Sequence, residues 1–323
     1  MKKSFNKTLL NTTKIHVMHN ASQYIVFAMI MVLFVYFSVS TRTFLTPANL
    51  LNIVRQSAVY TIIGCGVTLV MISGTIDISI GGQMACATVV AGLLMTTFGW
   101  GIVPSCTMAI IIGGIFGFMN GYLITRFSLA PMIVTLATQT LAYGIANLLT
   151  SGLYVYNLPE EFRVLGRGYI GAIPVQIFIM LGFLVITHIV LTKTVFGRRI
   201  YAIGGNEIVA KLAGINYKKY RIILYIVNGM IACFAGLIVI SRMGSAMPDL
   251  AQNYSLEVMT SVIIGGTLLG GGSGTIIGTF LGVVLITIIS NGLNISGVST
   301  YWQSVIQAAI LVVVIILNRR KDQ

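Results

Sequence analysis

Ten apolar stretches, separated by glycine, proline or charged residues, follow one another along the chain. They lie at residues 22–40, 57–73, 81–98, 102–124, 130–150, 174–192, 221–240, 258–272, 275–293 and 302–317. A helix of about 20 apolar residues crosses a hydrocarbon core about 30 Å thick. The pattern therefore predicts an all-α, polytopic membrane bundle of about ten transmembrane helices. Ahead of the second stretch, TFLTPANLLNIVRQ (residues 43–56) spaces Phe44, Leu45, Leu50, Leu51, Ile53 and Val54 as an amphipathic helix would. This predicts a separate lead-in helix at the membrane interface, with Pro47 in its first turn. Two glycine triplets, Gly113–Gly117–Gly121 and Gly274–Gly278–Gly282, repeat every four residues. Each triplet falls on one helix face and permits close approach of neighbouring backbones.

Charge sets the expected orientation. With a cytoplasmic N-terminus and ten spans, fifteen of the twenty Lys and Arg lie on the cytoplasmic side, and only Arg42, Arg55, Arg163, Arg167 and Arg242 fall outside. That bias follows the positive-inside rule and predicts that both termini are cytoplasmic. Residues 1–21 then form a basic cytoplasmic segment, 22–318 the membrane domain with a long cytoplasmic loop at 193–220, and 319–323 a cytoplasmic tail. The same rule accounts for the net charge of +13 without nucleic acid. Only 8% of the 323 residues are charged and 56% are hydrophobic, against roughly 25% charged in soluble domains.

Catalytic and metal chemistry find little support. Cys65, Cys86, Cys106 and Cys233 lie in or beside apolar runs without a CxxC pair or a zinc-type His spacing, and read as free thiols. The chain has no HExxH, and His188 has no acidic companion nearby in sequence. The run IIGGTLLGGGSGTIIGT (263–279) lacks the Lys-Ser/Thr ending of a phosphate-binding loop and reads as a tight turn between two spans. Any ATP-driven work thus needs a separate subunit.

Polar residues inside apolar runs are costly in lipid and are expected to face the bundle interior. Asn120, Gln139, Asn147, Asn228 and Asn291 are the candidates for a solute path, because neutral amides donate and accept hydrogen bonds as hydroxyl-rich solutes require. Asp77 stands in SGTIDISIGG (73–82) between two nearly charge-free stretches. The glycines around it predict a helix break, where Asp77 accepts hydrogen bonds from free N–H groups of the following helix with Ser79 and Gly81 nearby; contact with solute is the other role open to it. In the cytoplasmic loop, NEIVAKLAG predicts a short helix with Asn206 as N-cap, Glu207 in its first turn and Gly214 closing it. Its apolar face, with Ile208, Leu212 and Ile215, suits either a protein docking surface or the lipid headgroup layer. Glu160, Glu161, Asp249 and Glu257 fall on external loops and are candidates for contact with an extracytoplasmic partner.

Taken together, GTIDISIGG, LAPMIVTLATQTLAYGI, FGRRIYAIGGNEIVAKLAGIN and VIIGGTLLGGGSGTIIGTFLGV resemble stretches of the permease subunits of bacterial ABC importers for ribose, galactose, autoinducer-type sugars and related monosaccharides. The resemblance covers about residues 44–318. It implies a ten-span subunit of the bacterial inner membrane, with no cofactor of its own, that pairs with a second copy or a paralogue. It also implies an extracytoplasmic solute-binding protein and a dimeric ATPase that binds ATP and Mg. It favours docking for the loop residues Gly205, Asn206, Glu207, Ala210 and Gly214. Thr75 and Gly82 depart from the family's GGIDLSVGS pattern. A permease for nucleosides or branched-chain amino acids shares the broader architecture, and a cation-coupled carrier or a channel-like protein is the other class compatible with the spans.

Overall fold

The computed structural model describes residues 21–299 and, beyond them, 301–303, 305, 306, 308, 309 and 312. The basic segment up to residue 20, the tail 319–323 and much of the tenth apolar stretch lie outside the described residues. The long helices are α1 (Ala21–Ser40), α2 (Pro47–Ile72), α3 (Ile80–Thr96), α4 (Ile102–Phe127) and α5 (Pro131–Thr150). A 3-10 turn (Glu160–Arg163), the short α6 (Val164–Arg167) and a hairpin of β1 (Tyr169–Ile170) with β2 (Ile173–Pro174) follow. Then come α7 (Val175–Lys193), α8 (Val195–Gly205), α9 (Glu207–Leu212), α10 (Tyr217–Met243), α11 (Tyr254–Ile264) and α12 (Ile276–Ile295). Residues 301–303, 305, 306, 308, 309 and 312 are also helical.

Seven of the described helices are long and apolar enough to cross a membrane. Each of the first nine predicted stretches corresponds to a helix, but two expectations change. The separate interfacial lead-in does not exist: α2 runs unbroken from Pro47, with Thr46 capping its N-terminus. Polar residues of this part of α2 pair with other elements of the protein. Asn49 pairs with Asn291 of α12 through two amide hydrogen bonds of 3.0 and 2.9 Å, and Arg55 donates to the Tyr169 hydroxyl. The eighth stretch is helical only from Tyr254 to Ile264. At about 1.5 Å per residue these 11 residues reach roughly 16 Å, half of a bilayer core. The remainder of that stretch is a turn, since Gly266, Gly271 and Gly272 all adopt positive φ.

α2 is the axis of the bundle. Of its most apolar window 83% is buried, against 17% for α1, so α2 is surrounded by protein while α1 presents its sides outward. Glycine sets how closely the helices pack. A Cβ on Gly113 would lie 2.3 Å from the Gly229 carbonyl, one on Gly117 2.2 Å from the Tyr225 carbonyl, and one on Gly121 2.7 Å from the Ile222 backbone. The first triplet thus forms the contact line of α4 on α10. In the second, Gly278 and Gly282 seat α12 against the Gly265 and Ser261 carbonyls of α11 in the same way. All four cysteines are free.

Overpacking a tight contact costs about 1–3 kcal/mol. Gly117→Leu is therefore expected to lower the melting temperature of the purified protein sharply, while Gly144→Ala, where nothing lies within 4 Å, leaves it unchanged. Differential scanning fluorimetry in detergent compares the two, and equal melting curves would remove the glycine line as the determinant of α4–α10 packing.

Candidate functional site

α2 ends at Ile72, and residues 73–79 are non-helical before α3 begins at Ile80. Gly74 takes φ +77°, which turns the chain back into the bundle. The segment reaches the level of Asn228, eleven residues into α10, or about 17 Å along that helix. Irregular backbone at this depth persists only where protein satisfies its polar groups. Asp77, 4% exposed, supplies much of that satisfaction. Its Oδ1 accepts from the Ser79 N–H at 3.0 Å and from the Ser79 hydroxyl, and its Oδ2 accepts from the Asn228 amide at 2.9 Å. The carboxylate also sits at the N-terminal end of α3, where the helix dipole favours negative charge.

The Ser79 hydroxyl, donating to Asp77, accepts from Gln83 Nε2 at 2.6 Å and from Asn120 Nδ2 at 2.8 Å; Thr138 in turn donates to Asn120 Oδ1 at 2.5 Å. The Tyr225 hydroxyl donates to the Ile76 carbonyl at 2.8 Å, so Thr75, 2.5 Å from that hydroxyl, donates to it. The Gly81 N–H donates to Ser255 at 3.1 Å. One network thus joins the break to α3, α4, α5 and α10. Hydrogen bonds already occupy both carboxylate oxygens and every valence of the Ser79 hydroxyl, so these groups hold backbone and neighbouring helices in place.

At the end where α2 stops, three glycine-rich stretches meet. A Cβ on Gly271 would lie 2.6 Å from Gly74, one on Gly204 1.8 Å from the Ile72 carbonyl, and one on Gly272 2.8 Å from Gly205. The Gly272 N–H donates to the Ile72 carbonyl at 2.8 Å, and the Tyr201 hydroxyl to the Gly274 carbonyl at 2.7 Å. Arg221 adds a charged link, pairing with Glu207 at 2.7 Å and donating to the Ser73 carbonyl at 3.3 Å. Glu207 opens α9, the helix expected from NEIVAKLAG. Asn206 caps it by accepting from the Ile208 and Val209 N–H groups at 3.0 and 3.1 Å, and Gly214 ends the turn with φ +79°. Ala210 is buried, while Ile208 and Leu212 are 73% and 83% exposed. The far side of α9 is therefore an uncovered apolar surface.

Residues 49–315 match the family model described as the permease component of branched-chain amino acid transport systems. The chain belongs to this family. Among its relatives is the ribose import permease of Bacillus subtilis (strain 168), 38% identical over 298 residues and covering 90% of this chain and 91% of that one. The ribose import permease of Escherichia coli (strain K12) is 32% identical, covering 91% and 92%. The galactose/methyl galactoside import permease of Haemophilus influenzae is 30% identical, covering 86% and 88%. A solved structure described as an inward-facing metal-chelate-type ABC transporter has the same fold, with a TM-score of 0.53 at 15% identity over 91% of this chain and 99% of that one. The chain is thus a permease subunit of an ABC importer, a transporter component and not an enzyme.

Within this permease the polar candidates separate. Asn120 and Asn228 lie in the Asp77 network, and Gln139 is half-buried with its backbone packed on Gly82. Asn147 does not face the interior: it is exposed near the end of α5 and donates to the Tyr143 carbonyl of its own helix at 2.9 Å. Asn291 is occupied by its amide pair with Asn49. Among the acids, Glu160 is exposed and pairs with Arg163 at 2.8 Å, Glu161 is exposed, and Asp249 is exposed with the Tyr154 hydroxyl 3.5 Å away. Glu257 is not on a loop but in the first turn of α11, half-buried, accepting from the Tyr60 hydroxyl. Gln83, Thr138, Tyr225 and Arg221 were not anticipated. Only Gln83, four residues after Ser79 and so on the same helix face, carried a sequence signal.

Replacing Asp77 by Leu orphans the Ser79 N–H and hydroxyl and the Asn228 amide, at about 1–3 kcal/mol for each buried group. Asp77→Leu is therefore expected to abolish recovery of folded protein. Asp77→Asn is expected to fold, because Asn228 can turn its unpartnered Oδ1 toward the new amide. Size-exclusion profiles of the two variants check this, and a well-behaved Leu variant would show that the network does not hold the break.

Proposed function

We propose that this permease translocates a monosaccharide or a closely related hydroxylated solute across a bacterial cytoplasmic membrane. It works by alternating access, as a pair with a second copy or a paralogue. An extracytoplasmic binding protein delivers the solute, and a dimeric ATPase that binds ATP and Mg docks on α9. The sugar class is supported by relatives of full length named for ribose and galactose import. The family model's description names branched-chain amino acids, which makes them the competing solute class.

The observation that carries the docking reading is the geometry of α9. Its apolar residues Ile208, Val209 and Leu212 point away from the bundle, while its first turn is tied through Arg221 to the carbonyl of Ser73. Movement of α9 on a rearranging partner therefore pulls directly on the residue where the membrane helix breaks. A ligand shifts such an equilibrium only by its differential affinity for the two states, so the ATPase must bind α9 differently with and without nucleotide.

Vesicles containing this chain alone are expected to take up no labelled ribose or galactose, and vesicles that also contain its ATPase and binding protein to take up one of them when ATP is supplied. Gradient-driven uptake by the chain alone would overturn the importer reading. Leu212→Asp is expected to release the ATPase during co-purification while the permease stays folded; retained ATPase would assign α9 to the lipid headgroups.

The Arg221 link is tested by charge reversal. Arg221→Glu is expected to slow transport about tenfold, the rate equivalent of about 1.4 kcal/mol, with ATP hydrolysis continuing. Adding Glu207→Arg is expected to restore part of the rate. Transport and hydrolysis measured side by side in vesicles decide it, and a double variant no better than the single one would show that the pair does not transmit the movement.

A further inference from the structure

A groove of about 650 Å³ runs along the side of the bundle, lined by residues of α2, α4, α7 and α10 and by Phe196 of α8. Phe183, Ile186 and Val190 contribute from α7, and Val227 and Met230 from α10. Ile186 is 63% and Met230 39% exposed, so the groove is reached from the side of the bundle and is not an internal void. Ten residues separate Phe183 from Lys193, the last residue of α7, which is about 15 Å of helix. That is half of a hydrocarbon core about 30 Å thick, the depth of one leaflet.

The lining has nothing to offer a polar solute. Its only polar side chains are Thr187 and Thr194. Thr194 donates to the Val190 carbonyl at 2.6 Å and accepts from the Gly197 N–H at 3.1 Å, and Thr187, 4% exposed, bonds the Cys65 thiol. A sugar, an amino acid or an inorganic anion entering here would lose its hydrogen bonds to water and gain none. A hydrocarbon chain has none to lose.

The end of the groove nearest α8 has the opposite character. The Phe196 ring in its wall packs 5.2 Å from the Tyr220 ring, and the Arg199 guanidinium lies 5.7 Å over Tyr220 and donates from Nη1 to its hydroxyl at 2.6 Å. Arg199 is exposed and pairs with no acid among the described residues, and Lys193 stands exposed one turn beyond Val190. Glu207 of the neighbouring α9 is already taken by Arg221. An apolar slot one leaflet deep that ends at unpaired cations matches a molecule with an acyl chain and an anionic head, and basic sites between transmembrane helices take such headgroups. A zwitterionic headgroup would bring a further cation to a place that already holds Lys193 and Arg199. A second copy of the chain is disfavoured for the same reason, because a two-fold contact sets one patch against itself and would oppose these cations to their own counterparts.

We propose that this groove binds one anionic phospholipid, with an acyl chain along Val190, Ile186 and Phe183 and the phosphate at Arg199 and Lys193. Such a site is independent of which solute the permease carries.

The test uses the full chain reconstituted in phosphatidylcholine vesicles that contain a small fraction of phosphatidylglycerol with a photoreactive group in one acyl chain. After irradiation, labelling is expected to concentrate in residues 183–190 and 227–234. At a fixed fraction of probe, replacing host phosphatidylcholine by unlabelled phosphatidylglycerol is expected to suppress it, and inorganic phosphate to leave it unchanged. A photoreactive phosphatidylcholine is expected to label the groove no more than the outward faces of α1 and α5. Arg199→Gln is expected to reduce groove labelling about fivefold, and Arg199→Lys to retain most of it. Lys193→Gln is the second variant if Arg199→Gln does not fold, and a loss of the same size is expected. Even labelling of α1, α5 and the groove by the phosphatidylglycerol probe, equal groove labelling by the two probes, or full labelling of a folded Gln variant would overturn the site. Suppression by inorganic phosphate would assign the cations to a free anion, and cross-links from the groove to a second copy in place of lipid would make this face an interface between copies; either result would overturn the lipid.

Discussion

A peptide N–H inside a membrane protein has no water to fall back on, and a chain that stops being helical at mid-depth exposes several at once. At Ser79 the Asp77 carboxylate meets this need, accepting from the backbone N–H and from the hydroxyl of the same residue. Burying a carboxylate is costly in itself. Here the charge lies at the start of α3, and its second oxygen is held by Asn228 from another helix. The fixed Ser79 hydroxyl can then accept from Gln83 and Asn120, and through them the positions of α3, α4 and α5 follow. Without the carboxylate, α3 has no reason to begin where it does.

The second constraint is the absence of side chains. Where α2 stops, Gly74, Gly204, Gly271 and Gly272 let three backbone segments touch, at separations that a single Cβ would forbid. Such a joint is stiff in compression, because backbone meets backbone with no flexible side chain between. It is held in tension by the Gly272–Ile72 hydrogen bond and by Arg221 between Glu207 and Ser73. The outer helix α9 and the buried Asp77 network are therefore joined by a short contiguous path. What this path can bias is the 73–79 segment, the one non-helical stretch that links α2 to α3.

Much of this was legible in the sequence wherever the determinant is local. Glycines four apart mark one helix face whatever lies opposite, and Asn206 followed by Glu207 starts a helix by its own chemistry. The helix break at Asp77 was legible because glycine and a lone acid are unfavourable inside a span. What could not be read depends on distant partners. Asn291 looked like a path-lining amide because nothing in its neighbourhood points to Asn49, 242 positions away. The apolar spacing from Phe44 to Val54 suggested a separate interfacial helix because hydropathy does not record the distant partner that lets Asn49 sit within α2. The glycine run 263–279 read as a turn, but the apolar stretch drawn to residue 272 overran it: α11 ends at Ile264, and Gly266, Gly271 and Gly272 take positive φ.

These distinctions bear on where selectivity can reside. A residue that recognises a solute needs at least one hydrogen-bonding valence that the fold leaves open. In SGTIDISIGG that condition fails at the Ser79 hydroxyl and at Asp77 Oδ1, which accepts twice from Ser79, while Oδ2 is held by Asn228 on a residue only 4% exposed. Gln176 Oε1 and Arg55 Nε lack partners among the described residues, but both atoms are buried. Removing the hydrogen-bonding side chain, as in Asp77→Leu, would dismantle the permease before altering what it transports.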